Sequence, residues 1–292
     1  MIGTKLRKER AGGEELLRLN GHDYRLIGLD TNVISEIVRE PGRMRSGFLS
    51  HFSPGCLPCF TVYSTFELRR RPDLYAQFLD FFDVLPCGVL KSEDQLFADE
   101  LAAYSSGEEI DPTLVLFSPL NRPTGTNLRN VMDVNFKNKA VLRRERKWLG
   151  LKSKLIRDWL ALKANFPPKG ESYTAEEGDA FVEKATRQRV QYLAPDWARA
   201  RDTEGEQIRC AAFPSSRMIL WTLFYRFYLA NRTPETQDVF DVLISSPAPY
   251  LDAVVTEKHQ AEIYKQVARR DPALSRLQIC TLADLCARSQ EP

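Results

Sequence analysis

The sequence contains few of the residues on which several enzyme classes depend. Histidine occurs only three times in 292 residues, as His22, His51 and His259, and no Gly-x-Ser-x-Gly motif is present. These features argue against a Ser-His-Asp hydrolase. No glycine-rich turn follows the first apolar run, which argues against a dinucleotide-binding enzyme. The formal net charge is only +2, so overall charge does not indicate a polyanionic partner.

Cysteines and long apolar runs are also scarce. The six cysteines are too few for a disulfide scaffold, and the Cys56-x-x-Cys59 pair has no second pair at zinc-ribbon spacing. The chain begins with a charged stretch rather than a secretory signal, so we expect a cytoplasmic protein with reduced thiols. The longest apolar run, MILWTLFYRFYLA at 218–230, contains Arg226 and is too short to span a bilayer. It is typical of a buried helix, and no membrane association is expected.

Apolar runs of strand length alternate with helix-like segments near both ends of the chain. The predicted strands are YRLIGL (24–29), LPCFTVY (57–63), VLPCGVL (84–90), DAVV (252–255) and LQIC (277–280). Strands that alternate with helices indicate a parallel sheet with right-handed crossovers. We therefore predict an α/β fold of three layers, α/β/α, with a central parallel sheet of about five strands.

The middle of the chain has a different pattern. Between about residues 91 and 230, helical periodicity replaces the strand signals, with breaks such as SPLNRPTG (118–125) and NFPPKG (165–170). We predict an N-terminal arm at 1–22, an α/β domain at 23–90 and 231–288, and a helical insertion at 91–230.

Acidic residues follow the first two predicted strands. Asp30 comes directly after the first, where it can be the N-cap of the next helix or a carboxylate at a strand tip, the usual place for ligands in open α/β sheets. Glu67 follows the second strand, and Ser64-Thr-Phe-Glu67 also fits a capping box.

Four further acids surround the fourth strand. Asp238 and Asp241 share one face of a predicted helix, where two like charges need neutralisation. Asp252 opens the strand and Glu257 follows it. A solvated face would explain any one of these acids, but the recurrence of strand, carboxylate and helix predicts that several converge on one cleft.

Three stretches resemble PIN-domain proteins, a family of metal-dependent nucleases that includes many bacterial toxins of toxin–antitoxin pairs. They are LDTNVIS (29–35), TVYSTFELRRRP (61–72) and QDVFDVLISSPAPYLDAVVTEKHQ (237–260). The resemblance covers about 23–90 and 231–288 and implies a PIN-like fold. It also implies that Asp30 and Glu67 bind a divalent metal. The resemblance implies that Asp238 or Asp241 corresponds to the third acid of the family. It implies Glu257, where the family commonly has Asp, or else Asp252 as the fourth.

Converging carboxylates repel one another unless their pKa values rise or a hard cation neutralises them. Oxygen ligands favour Mg²⁺ or Mn²⁺, which can activate water for attack on a phosphodiester. All six acids are candidate catalytic residues, and Asp30, Glu67, Asp238 and Asp252 are the expected metal ligands. Thr31, Asn32 and Thr256 could orient those ligands or be ordinary cap and turn residues.

A basic segment could contact nucleic acid. Residues 137–157 hold nine Lys or Arg and one Glu, and such a segment can bind phosphates or be a solvated helix face. Trp148 could stack on an unpaired base or belong to the core. The candidate contacts are Arg69, Arg70, Arg143, Arg144, Lys147 and Trp148.

The sequence therefore predicts a Mg²⁺- or Mn²⁺-dependent endoribonuclease that acts on RNA. DNA is the alternative substrate, and an antitoxin or other protein is a candidate partner. The alternative is a catalytically inactive PIN module that binds RNA or a protein. A phosphatase that uses Asp30 as a nucleophile would usually carry a second Asp two residues later, where this chain has Asn32.

Overall fold

A computed structural model describes most of the chain. The described residues are 8–11, 14–19, 22–39, 42–52, 55–108, 114–117, 127–165, 173–230 and 232–288. The chain forms two compact units. Unit 1 comprises Met1–Ser92, Asp111–Gly150 and Tyr250–Pro292, and unit 2 comprises Glu93–Ile110 and Leu151–Pro249.

The described residues of unit 1 contain an eight-stranded sheet. Its strands are β1 (Lys8–Ala11), β2 (Glu14–Leu19), β3 (His22–Leu29), β4 (Cys56–Thr61), β5 (Cys87–Leu90), β6 (Leu114–Phe117), β7 (Ala253–Val255) and β8 (Gln278–Cys280). Strands β3, β4, β5, β7 and β8 run parallel in the order β5-β4-β3-β7-β8. The predicted α/β fold, with a mostly parallel central sheet of about five strands, is confirmed.

Three strands were not predicted. β1 and β2 form an antiparallel hairpin that pairs with the first residues of β3, within the segment predicted as an arm. β6 pairs antiparallel with β5 and lies within the predicted helical insertion. Leu114–Phe117 is an apolar run of strand length, so its signal was present. β1 and β2 are rich in charge, so no apolar run marked them; β2 pairs with β3, and β1 pairs with β2.

Thirteen α-helices occur in the described parts of the chain. In the segments around the sheet these are α1 (Thr31–Arg39), α2 (Arg43–Phe52), α3 (Val62–Arg69), α4 (Pro72–Phe82), α6 (Leu128–Lys137), α12 (Lys258–Ala268) and α13 (Leu282–Arg288). The others are α5 (Glu93–Ser106), α7 (Lys139–Asn165), α8 (Ala175–Leu193), α9 (Pro195–Thr203), α10 (Pro214–Leu223) and α11 (Asp238–Ile244). The boundary between the two units falls within α7.

The main core of unit 1 lies between the sheet and its helices. Ile27 and Leu29 of β3 pack with Ile34, Phe60 and other buried side chains of α1, α2, α4 and α6. α6 contributes buried Leu128 and Met132 to this core, and β6 extends the sheet. The segment 111–150 therefore belongs with the sheet rather than with the predicted insertion, whereas residues 231–249 belong to unit 2.

Unit 2 is helical in its described residues. Its chain includes the run at 218–230, which forms the end of α10 and a π-helical turn, Phe224–Leu229. Met218, Trp221 and Phe227 of this run are buried, as expected for a core helix. Among the described helices, none combines the length and apolarity needed to cross a lipid bilayer.

Candidate functional site

The strand order of unit 1 reverses beside β3. From β3, the chain adds β4 and β5 on one side and then returns to add β7 and β8 on the other. Ligands of open α/β sheets bind outside the carboxyl ends of the strands at such a topological switch point. Leu29 of β3 is in register with Phe60 of β4 and Val255 of β7, so Asp30 and Thr256 follow the carboxyl ends of adjacent strands.

Asp30 caps α1 and also contacts the end of β7. One carboxylate oxygen, Oδ1, accepts the backbone N–H of Asn32 at 2.6 Å, and the carbonyl oxygen of Asp30 accepts the N–H of Ile34 at 3.0 Å. This is N-cap geometry. The other oxygen, Oδ2, accepts the hydroxyl of buried Thr256. The capping interpretation therefore holds together with the strand-tip position.

The environment of Asp30 disfavours its negative charge. Burial raises the pKa of the Asp30 carboxyl, and the nearby charge of Glu257 raises it further. The bonds from Thr256 and from the backbone of Asn32 lower the pKa, but less than burial raises it. Asp30 is therefore a carboxylate that would gain from a nearby cation.

Glu67 is not part of a capping box. Helix α3 begins at Val62, directly after β4, and its N-cap is Thr61, whose side chain accepts the N–H of Ser64 at 3.1 Å. The predicted cap at Ser64 is wrong because the helix starts three residues earlier than predicted. Glu67 instead accepts the hydroxyl of Thr31 on Oε2 at 2.7 Å.

Glu257 contacts the same segment through Asn32. Its Oε2 accepts a bond from Nδ2 of Asn32 at 3.2 Å, and its side chain is exposed just before α12. Residues 30–32 thus interact with carboxylates from the first, second and fourth predicted strand–helix units. We call this set the switch-point site: Asp30, Thr31, Asn32, Glu67, Thr256 and Glu257.

Asp252 lies at the opposite end of these strands. It precedes β7, and its Oδ2 accepts the backbone N–H of Leu26 at 2.6 Å. Leu26 is four residues before Asp30, about 13 Å along an extended strand. The prediction of Asp252 as a ligand beside Asp30 is therefore corrected, since an acid at the amino end of a parallel strand faces the other edge of the sheet.

Asp238 and Asp241 lie in unit 2, where arginines neutralise them. Nη2 of Arg226 is 3.1 Å from Oδ1 of Asp238 and 2.6 Å from Oδ2 of Asp241. Nη2 of Arg232 is 3.0 Å from Oδ1 of Asp238, which is only 1 % exposed. The two acids do share a face, as predicted, but the repulsion that suggested a metal is already compensated.

Within the described residues, no cysteine or histidine joins two other potential ligands in one group. Cys56 and Cys59 lie three residues apart on β4, so their side chains point to opposite faces of the sheet and cannot close on one metal. Among the described residues, no three His, Cys, Asp or Glu side chains are grouped so that they could hold one metal ion. A fully protein-ligated zinc site is therefore not supported in this part of the chain.

The predicted nucleic-acid residues divide into two groups. Arg69 is paired with Glu145 at 2.7 Å and lies over the ring of Phe136, and Trp148 is buried edge-on against Tyr63. The predicted base stacking by Trp148 is corrected, because its indole is a packing group. The remaining candidates are Arg70, Arg143 and Lys147, which are exposed, and Arg144, whose side chain lies outside the described residues.

The cap assignment of α3 can be tested by stability. We expect Thr61→Ala to lower the free energy of unfolding by about 0.5–2 kcal/mol, because it removes the N-cap. Glu67→Gln keeps an oxygen that can accept the Thr31 hydroxyl and should change stability less. Urea denaturation of both variants in EDTA measures the difference. A larger loss for Glu67→Gln than for Thr61→Ala would restore the capping role of Glu67.

All six residues of the switch-point site were predicted from sequence, whereas the arginine partners of Asp238 were missed. Arg226 and Arg232 had a weak signal, since a cation before two like-charged acids can compensate them.

Comparisons of the chain with protein-family models, with curated proteins and with solved structures found no match.

Proposed function

We propose that unit 1 is a PIN-like, three-layer α/β/α domain and that the protein is a metal-dependent endoribonuclease. The observation that carries this proposal is that Glu67 and Glu257 each accept a hydrogen bond from one of the two residues that follow Asp30 at the topological switch point. The resemblance of LDTNVIS (29–35) to PIN-domain nucleases supports RNA as the substrate. The same resemblance supports a toxin-like role with an antitoxin or another protein as partner, and the charged first residues support a cytoplasmic location.

The residues of the switch-point site fit Mg²⁺ or Mn²⁺. Their charged groups are all carboxylates, and burial already raises the pKa of Asp30. Mg²⁺ usually binds through one or two carboxylates together with water and substrate phosphates, so it does not require three grouped acids. Asp30 and Glu67 are the residues that would hold it. When bound, the ion would stabilise charge on the phosphodiester oxygens and make water more acidic.

The other residues of the site would orient these acids and move a proton. Thr256 and the backbone of Asn32 each donate to one oxygen of Asp30, which fixes the plane of its carboxylate. The hydroxyl of Thr31 donates to Glu67. Loss of such an orienting bond commonly lowers metal affinity or activity by about 10–100-fold. Glu257 is exposed and oriented by Asn32, so it is the carboxylate available to accept a proton from an attacking water.

Incubation of the purified chain with labelled nucleic acids tests the proposal. The substrates are single-stranded and structured RNA, with DNA of the same sequences, each in Mg²⁺, Mn²⁺ or EDTA. We expect RNA cleavage with either ion and none in EDTA. Tight RNA binding without cleavage in either ion would contradict the nuclease and favour the inactive binding module. Cleavage of DNA alone would contradict the substrate class.

A further inference from the structure

We propose that the outer side of the first half of α7 binds the phosphodiester backbone of RNA. Four cations form this basic face: Lys139, Arg143, Arg146 and Lys147. Arg143, Arg146 and Lys147 lie four, seven and eight residues after Lys139. In a helix of 3.6 residues per turn, this spacing places all four within about 100° of one another around the axis. All four are exposed. Lys139 and Arg146 were not among the predicted contacts, although the helical spacing was present in the sequence.

The opposite side of this half-helix is fixed to the rest of unit 1. Trp148 packs edge-on against Tyr63 of α3 with ring centroids 5.4 Å apart. Glu145, the one acid of residues 139–150, is paired with Arg69 of α3 at 2.7 Å. The negative charge of the segment is therefore neutralised on the packed side, and the basic face is held toward solvent.

Helix α3 connects the basic face with the switch-point site. Tyr63 contacts α7, and Glu67, one turn later on the same helix, accepts the hydroxyl of Thr31. α3 has eight residues and is about 12 Å long. The packed side of α7 and Glu67 are therefore held by the same short helix. The inference that bound RNA is also the substrate rests on the proposed function.

The chemistry of the face indicates contact with phosphates rather than bases. Lys and Arg supply charge, and the N-terminus of the long helix α7 adds positive potential near Lys139. The one aromatic residue of 139–150, Trp148, is buried and cannot stack on a base. Binding should therefore be independent of sequence and should weaken steeply as salt is raised.

The test measures binding separately from cleavage. The full chain is titrated in EDTA into fluorescein-labelled single-stranded RNA, and anisotropy is followed between low and moderate salt. For Arg143→Gln/Lys147→Gln we expect weaker binding to every sequence. The slope of log K against log salt should become shallower by about 0.7 for each removed contact. The matched control is Lys265→Gln/Arg269→Gln, which removes two exposed cations at the end of α12 and should leave affinity and slope unchanged.

The outcomes decide whether the basic face of α7 binds RNA. An unchanged slope in the α7 variant, or an equal change in the control, overturns the proposal. So does preferential binding to anionic lipid vesicles or to DNA of the same sequence. Equal thermal midpoints of the variants and the parent protein exclude misfolding as the cause. Altered binding in EDTA, with no cleavage in Mg²⁺ or Mn²⁺, would support the face and reject the nuclease.

Discussion

Replacement of Asp30 by asparagine is expected to abolish cleavage in Mg²⁺ and Mn²⁺ while the fold remains intact. The amide keeps an oxygen for the N–H of Asn32 but removes the negative charge that would hold the ion. The loss of cleavage activity should exceed the roughly 10–100-fold loss that follows removal of an orienting group. Thr256→Val, which removes such a group, is the comparison. Initial rates of RNA cleavage and calorimetric titration with Mg²⁺ alone measure the two effects. Retained cleavage and metal affinity in Asp30→Asn would remove Asp30 from the reaction.

The same variant should be more stable than the parent protein at neutral pH in EDTA. Because the folded state raises the pKa of Asp30 above its ordinary value of 3.8, the folded state holds the proton more tightly than the unfolded state. The resulting stabilisation is present at low pH and is lost as pH rises from about 3.8 through the folded pKa. Asparagine has no charge to bury, and it is an equally good N-cap.

Urea denaturation at low and neutral pH, in EDTA, measures this difference. The advantage of Asp30→Asn should be smaller at low pH than at neutral pH. Asp30→Ala is the matched control, since it removes both the charge and the cap, and loss of the cap alone costs about 0.5–2 kcal/mol. An Asp30→Asn variant less stable than the parent at neutral pH would show that the charge of Asp30 stabilises the fold.

Substitution of Asp238 by asparagine is expected to lower stability by about 3–5 kcal/mol, the typical cost of removing one partner from a buried ion pair. Asp238 is 1 % exposed, and its carboxylate lies within 3.1 Å of both Arg226 and Arg232. It also accepts the N–H of Glu235 at 2.7 Å. The loss should be the same in EDTA and in Mg²⁺, because arginines compensate the charge. Urea denaturation in both buffers measures it.

Asp241→Asn is the control for this prediction, since it makes the same change three residues away on the same helix. Asp241 pairs with Arg226 but is 37 % exposed, and Arg226 keeps its contact with Asp238 when Asp241 is changed, so we expect a smaller loss of stability than at Asp238. Small and equal losses of stability at both positions, with weaker binding of Mg²⁺ in the Asp238 variant, would contradict the structural role. Asp238 would then again be a candidate metal ligand.

Asp252 and Glu67 show where sequence patterns were ambiguous. A helix start can be assigned only when its cap is known, and Thr61, a strand residue by pattern, is the cap of α3. Asp252 and Thr256 flank the same short strand. In a parallel sheet the two ends of a strand reach opposite edges, so only the residue after the strand can join Asp30.

The sequence by itself determined the parallel strands and the acids beside them. Strands buried on both faces appear as apolar runs, and Asp30, Glu67 and Glu257 follow such runs. The order of neighbouring residues in the sequence was therefore enough to predict them. Only the tertiary structure decided the partners of Asp238, the burial of Trp148 against Tyr63, and the pairing of β1, β2 and β6. Trp148 and Tyr63 are far apart in sequence, as are β5 and β6. The arginines beside Asp238 and the strands β1 and β2 lie near their partners in sequence, but there charge compensation and strand pairing outweigh local preference.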